Sequence, residues 1–374
     1  MSLSVVRGAR RRRWAVVVVV AVLLVAVPLV VSALRPAGHS LDAARLRDLV
    51  LASESVPYQG YAQSTGSLAL PQLPDLADVS ALFSTTTTTH AWYAAPDRYR
   101  VAVLTTGGER DLYRLPEGEY TWDYGADQLT ELQGEAPVRL PRAADLLPPE
   151  LARRILRTAP RDAVTTLPAR RVAGIAASGL RLVPADSGTT IGQVDVWADP
   201  GSGLPLRVEV TARGQRAPIL VSEFQQVGQT APVVTAPVPA PSSGFTVTTA
   251  PDLSRALNAL GQVRLPGTLA GRRASQTNVG IQGAALYGEG LATFAAVAIP
   301  RNVADSAADA AAKAGAATVP LTFGDAVLLS IAPLSLAVVR PPGGRRAFLL
   351  AGLVTPAVLQ AAGEDLTHLP RSFR

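Results

Sequence analysis

Apolar and polar residues alternate along several short stretches of this chain. Tyr99-Arg-Val-Ala-Val, Tyr120-Thr-Trp-Asp-Tyr, Gln193-Val-Asp-Val-Trp, Leu206-Arg-Val-Glu-Val and Ile219-Leu-Val-Ser-Glu-Phe all follow a period of two. Successive side chains of a strand point to opposite faces, so the pattern predicts antiparallel strands with one face buried. Between them lie Gly107-Gly108, Pro116-Glu-Gly118, Asp199-Pro-Gly-Ser-Gly203 and Arg213-Gly214, residues suited to tight turns. The spacing describes a meander. Residues 41–53 instead place Leu41, Leu46, Leu49 and Val50 near one stripe opposite Asp and Arg, the pattern of an amphipathic helix. Ala143 to Thr158 also has helical composition, with Leu151, Ile155 and Leu156 on one face and Pro148-Pro149 breaking or restarting the helix. The threonine run Thr85 to Thr89 is expected at a loop or strand start.

Val233 to Gly244 is dense in proline and reads as an extended strap or linker. Beyond it, Thr293–Pro300, Ala326–Ile331, Leu334–Arg340 and Ala347–Val354 read as strands, and Asp305–Ala314 and Thr355–Leu369 as helices. The predicted class is α+β, in three parts. Residues 1–34 form an arginine arm and membrane segment, 35–250 a first extracytoplasmic domain and 251–374 a small C-terminal α+β domain.

From Ala15 to Leu34 the chain is apolar apart from Pro28 and Ser32, about 20 residues, the length needed to cross a bilayer. Arg7 and Arg10 to Arg13 precede it, and the positive-inside rule keeps such a cluster cytoplasmic. The expected location is the cell membrane, single-pass, with the bulk of the chain extracytoplasmic. Small residues at Val31-Ser32-Ala33 also fit signal-peptidase cleavage, but the run exceeds a usual signal core, which favours an uncleaved anchor.

Charge changes the picture little once located. The net charge is +6, and setting aside the five N-terminal arginines leaves about +1, without the basic face that nucleic-acid binding requires. There is no cysteine, which rules out disulfides, thiolate metal sites and a cysteine nucleophile. His39, His90 and His368 are the only imidazoles and are scattered; no nucleophile elbow, zinc helix, phosphate loop or Rossmann glycine pattern is present. Gly288-Glu-Gly290 reads as a turn. Glu109, Asp111, Asp123 and Asp127 lie in neighbouring strands and turns and could form an acid–base pair, but a solvated face explains them as well. The expectation is a non-enzyme with no cofactor and no metal.

The few aromatics concentrate in the meander: Tyr58, Tyr61, Trp92, Tyr93, Tyr99, Tyr113, Tyr120, Trp122, Tyr124 and Trp197. They are core, or they line an apolar cavity in which large rings supply contact area. Parity within each strand groups Tyr99, Val101 and Val103; Tyr120, Trp122 and Tyr124; Val194 and Val196; and Leu206, Val208 and Val210. If these faces line one concavity, its wall suits an acyl chain.

The same residues carry a family resemblance. Trp92-Tyr-Ala-Ala-Pro-Asp-Arg-Tyr-Arg100 and the Gly118-Glu-Tyr-Thr-Trp-Asp-Tyr124 hairpin resemble the lipoprotein carrier LolA. Val194-Asp-Val-Trp197 through Gly203-Leu-Pro-Leu-Arg-Val-Glu-Val210 is similar to late strands of LolA, LolB and RseB, and Tyr58-Gln-Gly60 resembles the first-strand entry of RseB. In the C-terminal part, Tyr287-Gly-Glu-Gly-Leu-Ala-Thr-Phe-Ala-Ala-Val297 and Leu350-Ala-Gly-Leu-Val-Thr-Pro-Ala-Val-Leu359 resemble RseB segments. The two-domain order favours the RseB/MucB family. The resemblance implies an incomplete antiparallel β-barrel with helices on its open side, followed by a smaller domain for partner contact. It further implies a lipid or lipoprotein acyl chain as ligand and an anti-sigma factor or membrane receptor as partner, hence regulation of envelope stress signalling. A lipoprotein carrier and a purely protein-binding regulator are the alternatives, and an exported carboxylate hydrolase is a third. One departure is Ala95, where the carrier has an arginine that fastens its lid.

Overall fold

Twelve strands between Tyr58 and Thr249 form one open sheet. They are β1 (Tyr58–Gly66), β2 (Thr86–Ala95), β3 (Arg98–Thr105), β4 (Gly108–Leu115), β5 (Gly118–Asp123), β6 (Gln128–Gln133), β7 (Ala163–Val172), β8 (Ile175–Val183), β9 (Ile191–Ala198), β10 (Pro205–Ala212), β11 (Leu220–Gly228) and β12 (Gly244–Thr249). Their order is β12-β6-β5-β4-β3-β2-β1-β11-β10-β9-β8-β7. Neighbours are antiparallel except β12, which joins β6 in parallel. The computed structural model describes residues 41–68, 77–105, 108–134, 139–249, 263–275, 283–343 and 345–369. The expected membrane segment lies outside the described residues; among these, no helix is long and apolar enough to cross a membrane.

Local chemistry accounts for most of the elements. Burial in β1 alternates strictly along its nine residues, as one covered face requires. Gly60 sits beside the irregularity in the β1–β11 pairing, where an added Cβ would lie 2.1 Å from the Gln226 carbonyl oxygen. The threonine run begins β2, whose Thr86–Thr89 pair with Thr65–Ala62. Helix α1 (Ala43–Ala52) is capped by Asp42, whose carboxylate accepts the Ala44 and Arg45 N–H groups. The stretch read as one broken helix is a 3-10 turn, Ala143–Leu146, then α3 (Pro148–Thr158). Extended Leu147 precedes the prolines, which fit a first turn because they lack only an N–H that would go unused there. A short helix α2 (Ala77–Ser84) packs near β1 and β2.

Helices α1 and α3 cover one face of the sheet. Leu46, Val50, Leu151, Ala152 and Leu156 pack on Leu180, Leu182, Val194, Val196, Val208 and Val210. A leucine or valine among them, when fully buried, contributes about 1.5–3 kcal/mol relative to exposure.

A second sheet has the order β15 (Ala284–Tyr287), β16 (Phe294–Pro300), β20 (Arg346–Gly352), β19 (Leu334–Arg340), β18 (Asp325–Ile331), β17 (Ala317–Pro320). A two-residue ladder of β13 (Thr268–Leu269) and β14 (Arg272–Arg273) precedes it. Alternation in β18 and β19 sends Ala326, Ala337 and Val339 toward α5 (Pro356–Thr367), and Val327 and Val338 toward α4 (Arg301–Lys313). Helix α4 starts at Arg301, earlier than expected, because it follows directly on Pro300 at the end of β16.

The described residues, all between 41 and 369, belong to one compact unit. The β8–β9 connection ties the sheets together. The Thr189 hydroxyl lies 2.7 Å from the Leu291 carbonyl and 2.8 Å from that of Leu353. Arg272 donates to both oxygens of Asp186, at 2.6 and 3.1 Å, which holds that carboxyl below its ordinary range.

Candidate functional site

Hairpin registers decide which side chains share a face. Tyr58 pairs with Tyr93 and Tyr93 with Tyr99, while Ala91 pairs with Val101 and Thr89 with Val103. Across the sheet, Val196 pairs with Val208 and Val194 with Val210. Tyr99, Val101, Val103, Val194, Val196, Leu206, Val208 and Val210 therefore all lie on the helix-covered face. Val194, Val196, Leu206, Val208 and Val210 are buried, the four valines beneath α1 and α3 and Leu206 beside Phe224.

Tyr120, Trp122 and Tyr124 do not join them, which corrects the single-concavity expectation. Tyr99 pairs with Arg114, and Arg114 with Glu119, so the inner face continues through Glu119, Thr121 and Asp123. Tyr120 and Trp122 stand on the outer face beside Tyr113 and Leu129. Tyr124 follows β5, half exposed, its ring 5.4 Å from that of Trp122. Parity orders residues within a strand; the Pro116-Glu117 turn sets the phase between strands, pairing Leu115 with Gly118.

What remains open on the inner face is a cavity of about 170 Å³. Its apolar floor is Tyr58, Ala91, Tyr93, Tyr99 and Val101, closed by Ala144 and Leu147. Its rim is charged. Asp145 accepts from Arg139 at 2.7 and 2.8 Å, from Arg154 at 2.9 Å and from the Arg142 N–H at 2.8 Å. Burial pushes the Asp145 carboxyl up, but these donors win and hold it below the usual range. Arg153, 1 % exposed, pairs with Glu150 and reaches Ser53. Burial raises the Tyr58 phenol, with Glu150 adding to the shift, and takes Tyr93 to about 12. Both are neutral at any physiological pH. The Tyr58 hydroxyl has no hydrogen-bond partner among the described residues. The rim residues Arg139, Asp145, Glu150 and Arg154 were missed in the sequence, where they are ordinary surface-type charges of a loop and helix.

The outer face carries a second polar cluster. Arg100 lies over the Trp92 ring at 4.3 Å and bonds to Asp111 at 2.8 Å and Glu109 at 2.9 Å. Asp111 is 1 % exposed and accepts the Tyr113 hydroxyl at 3.0 Å. Burial, only partly offset by Arg100, raises its carboxyl to about 6. Burial and Arg100 both lower His90, which stacks between Tyr61 and Trp92. Asp123 is held by Arg110 and the Ala126 N–H, and Asp127 by Ser243. Each of the four carboxylates weighed as an acid–base pair is thus engaged by a structural partner. Among the described residues, no three His, Cys, Asp or Glu side chains are grouped to hold a metal ion.

No protein-family model and no curated protein matches the chain. Among solved structures, a crystal structure of MucB in complex with MucA(peri) gives a TM-score of 0.48 at 16% identity, covering 86% of this chain and 97% of that chain. The Pseudomonas aeruginosa MucA/MucB complex gives 0.48 at 17% identity, covering 86% and 96%. A LolA superfamily protein from Nitrosomonas europaea gives 0.22 at 8% identity, covering 51% and 94%. The chain is thus similar to MucB over most of its length and, more distantly, to a LolA-superfamily protein over about half of it.

Proposed function

We propose that this chain is a membrane-anchored, extracytoplasmic binding module without catalytic chemistry, which regulates envelope stress signalling by contact with an anti-sigma factor or membrane receptor. One observation carries the reading: the inner face is occupied by the protein's own helices. The space left, about 170 Å³, is below the roughly 300–1,000 Å³ of ordinary ligand pockets. Five arginines ahead of the apolar run support export of everything after it. The anti-sigma factor as partner is what the resemblance to the RseB/MucB family implies; the filled face supports a protein rather than a lipid as the ligand. The test is titration of the purified protein with the extracytoplasmic segment of an anti-sigma factor from the same organism, with fluorescent fatty acid as the parallel ligand. Binding of the segment without fatty-acid uptake is expected; uptake with no segment binding overturns the reading.

A second reading, a lipid or lipoprotein acyl-chain site, is favoured by the tyrosine-lined floor and charged rim of the same cavity. It requires the 3-10 turn and α3 to move away from the sheet. Recovery of stoichiometric lipid by mass spectrometry of organic extracts would establish it.

A further inference from the structure

The two ends of the twelve-stranded sheet are built differently. An unpaired edge strand offers free N–H and C=O groups to any other strand, and proteins usually guard it with proline, charge or a bulge. Strand β7 has all three: Pro168, Arg170 with Arg171, and a register irregularity between Leu167 and Arg170. Strand β12 has none. Its sequence is Gly-Phe-Thr-Val-Thr-Thr, all six residues are exposed, and no described strand lies on its far side.

The Gly244 N–H donates to the Asp127 carbonyl at 2.9 Å, so Gly244 directs its backbone toward β6. In a parallel ladder alternate residues do the same. Thr246 and Thr248 therefore face β6, and Phe245, Val247 and Thr249 turn their backbone groups outward. This triplet is self-complementary. Antiparallel pairing of two copies about a two-fold axis through Val247 sets Val247 against Val247 and Phe245 against Thr249, satisfying every outward N–H and C=O. No charge in β12 opposes it. Phe245 and Val247 lie on the outer face in register with Leu129 and Glu131, and are 54% and 46% exposed; the same pairing covers both.

We infer that β12 is a homodimerisation edge, joining two copies of this chain into one continuous sheet. A six-residue edge is small beside the roughly 1,200–2,000 Å² of a standard interface, so the dimer dissociates on dilution. The inference is independent of the proposed function.

The chain has no cysteine, so one introduced thiol reports its own neighbours. Val247→Cys in the full-length protein in detergent should give a dimer with a short bismaleimide, while Thr165→Cys, on exposed β7, should not. Sedimentation should show a concentration-dependent dimer, weakened at least tenfold by Val247→Pro, which removes an outward N–H but leaves the β6 ladder intact. Unchanged circular dichroism and melting of that variant exclude unfolding as the cause. Equal cross-linking at positions 165 and 247, a monomer at all concentrations, or a dimer indifferent to Val247→Pro each overturns the inference.

Discussion

Arg114 stands across from Glu119 in the β4–β5 hairpin, their side chains 3.6 Å apart. The pairing places charge where the inner face continues beyond Tyr99, and turns Tyr120 and Trp122 outward. The Glu119 carboxylate also accepts from Arg142 at 2.5 Å, just ahead of the 3-10 turn. Beyond β3 the inner face therefore turns charged next to Tyr99, while Leu112 still continues it beside Val101.

Val208 is fully buried, so Val208→Trp should overpack the core beneath α3 and cost about 1–3 kcal/mol in urea denaturation. Val101→Trp enlarges a residue that borders the small cavity and should cost less. Equal stability of wild type and Val208→Trp would mean that the inner face is not filled.

Asp145→Asn removes the charge that anchors Arg139 and Arg154. A loss of about 1–3 kcal/mol is expected, with faster amide exchange over residues 143–147. Because the folded carboxyl titrates below its ordinary value, its contribution is present above the unfolded pKa and lost only as pH falls through the folded one. The variant should thus differ from wild type at neutral pH and converge with it in strong acid.

Asp111 has the opposite sign. Its folded carboxyl is raised to about 6, so between roughly pH 4 and 6 the folded state holds a proton that the unfolded state has lost. Wild-type stability relative to Asp111→Asn should fall as pH rises through that window and level off above it. A difference that stays constant from pH 4 to 7 would refute the raised carboxyl.

Thr189→Val keeps the volume at the junction between the sheets but removes the hydroxyl that meets the Leu291 and Leu353 carbonyls. A loss of about 1–3 kcal/mol is expected, because the Leu291 carbonyl loses its hydroxyl partner while that of Leu353 keeps the Thr190 N–H, and it is read as a lower melting temperature.

A reporter fused at the C-terminus should be active only outside the cytoplasm, and blotting should show uncleaved protein in the membrane fraction. Cytoplasmic activity would remove the proposed export. A shortening of about 33 residues would show signal cleavage instead, as the small residues at Val31 to Ala33 allow.

Periodicity is a local property, and the sequence determined by itself whatever depended on it. The inward sets of β3, β9 and β10, the amphipathic α1, the proline break before α3 and both helices of the second sheet were legible because alternation, helical periodicity and proline geometry act within a few residues. Strands β7 and β8 escaped notice because small and polar residues such as Thr165, Ala176 and Gly179 blur their alternation. Strand β12 begins where the proline-rich strap ends, at Gly244, and its other residues were not read as a strand because their own pattern says nothing of the β6 edge they join. Only tertiary structure decided that α1 and α3 fill the valine face, that Asp145 meets Arg139 and Arg154, and that Tyr120 and Trp122 point away from Tyr99. Each depends on the phase between segments, set by turns and by packing between residues far apart in the chain, which no pattern within one segment contains.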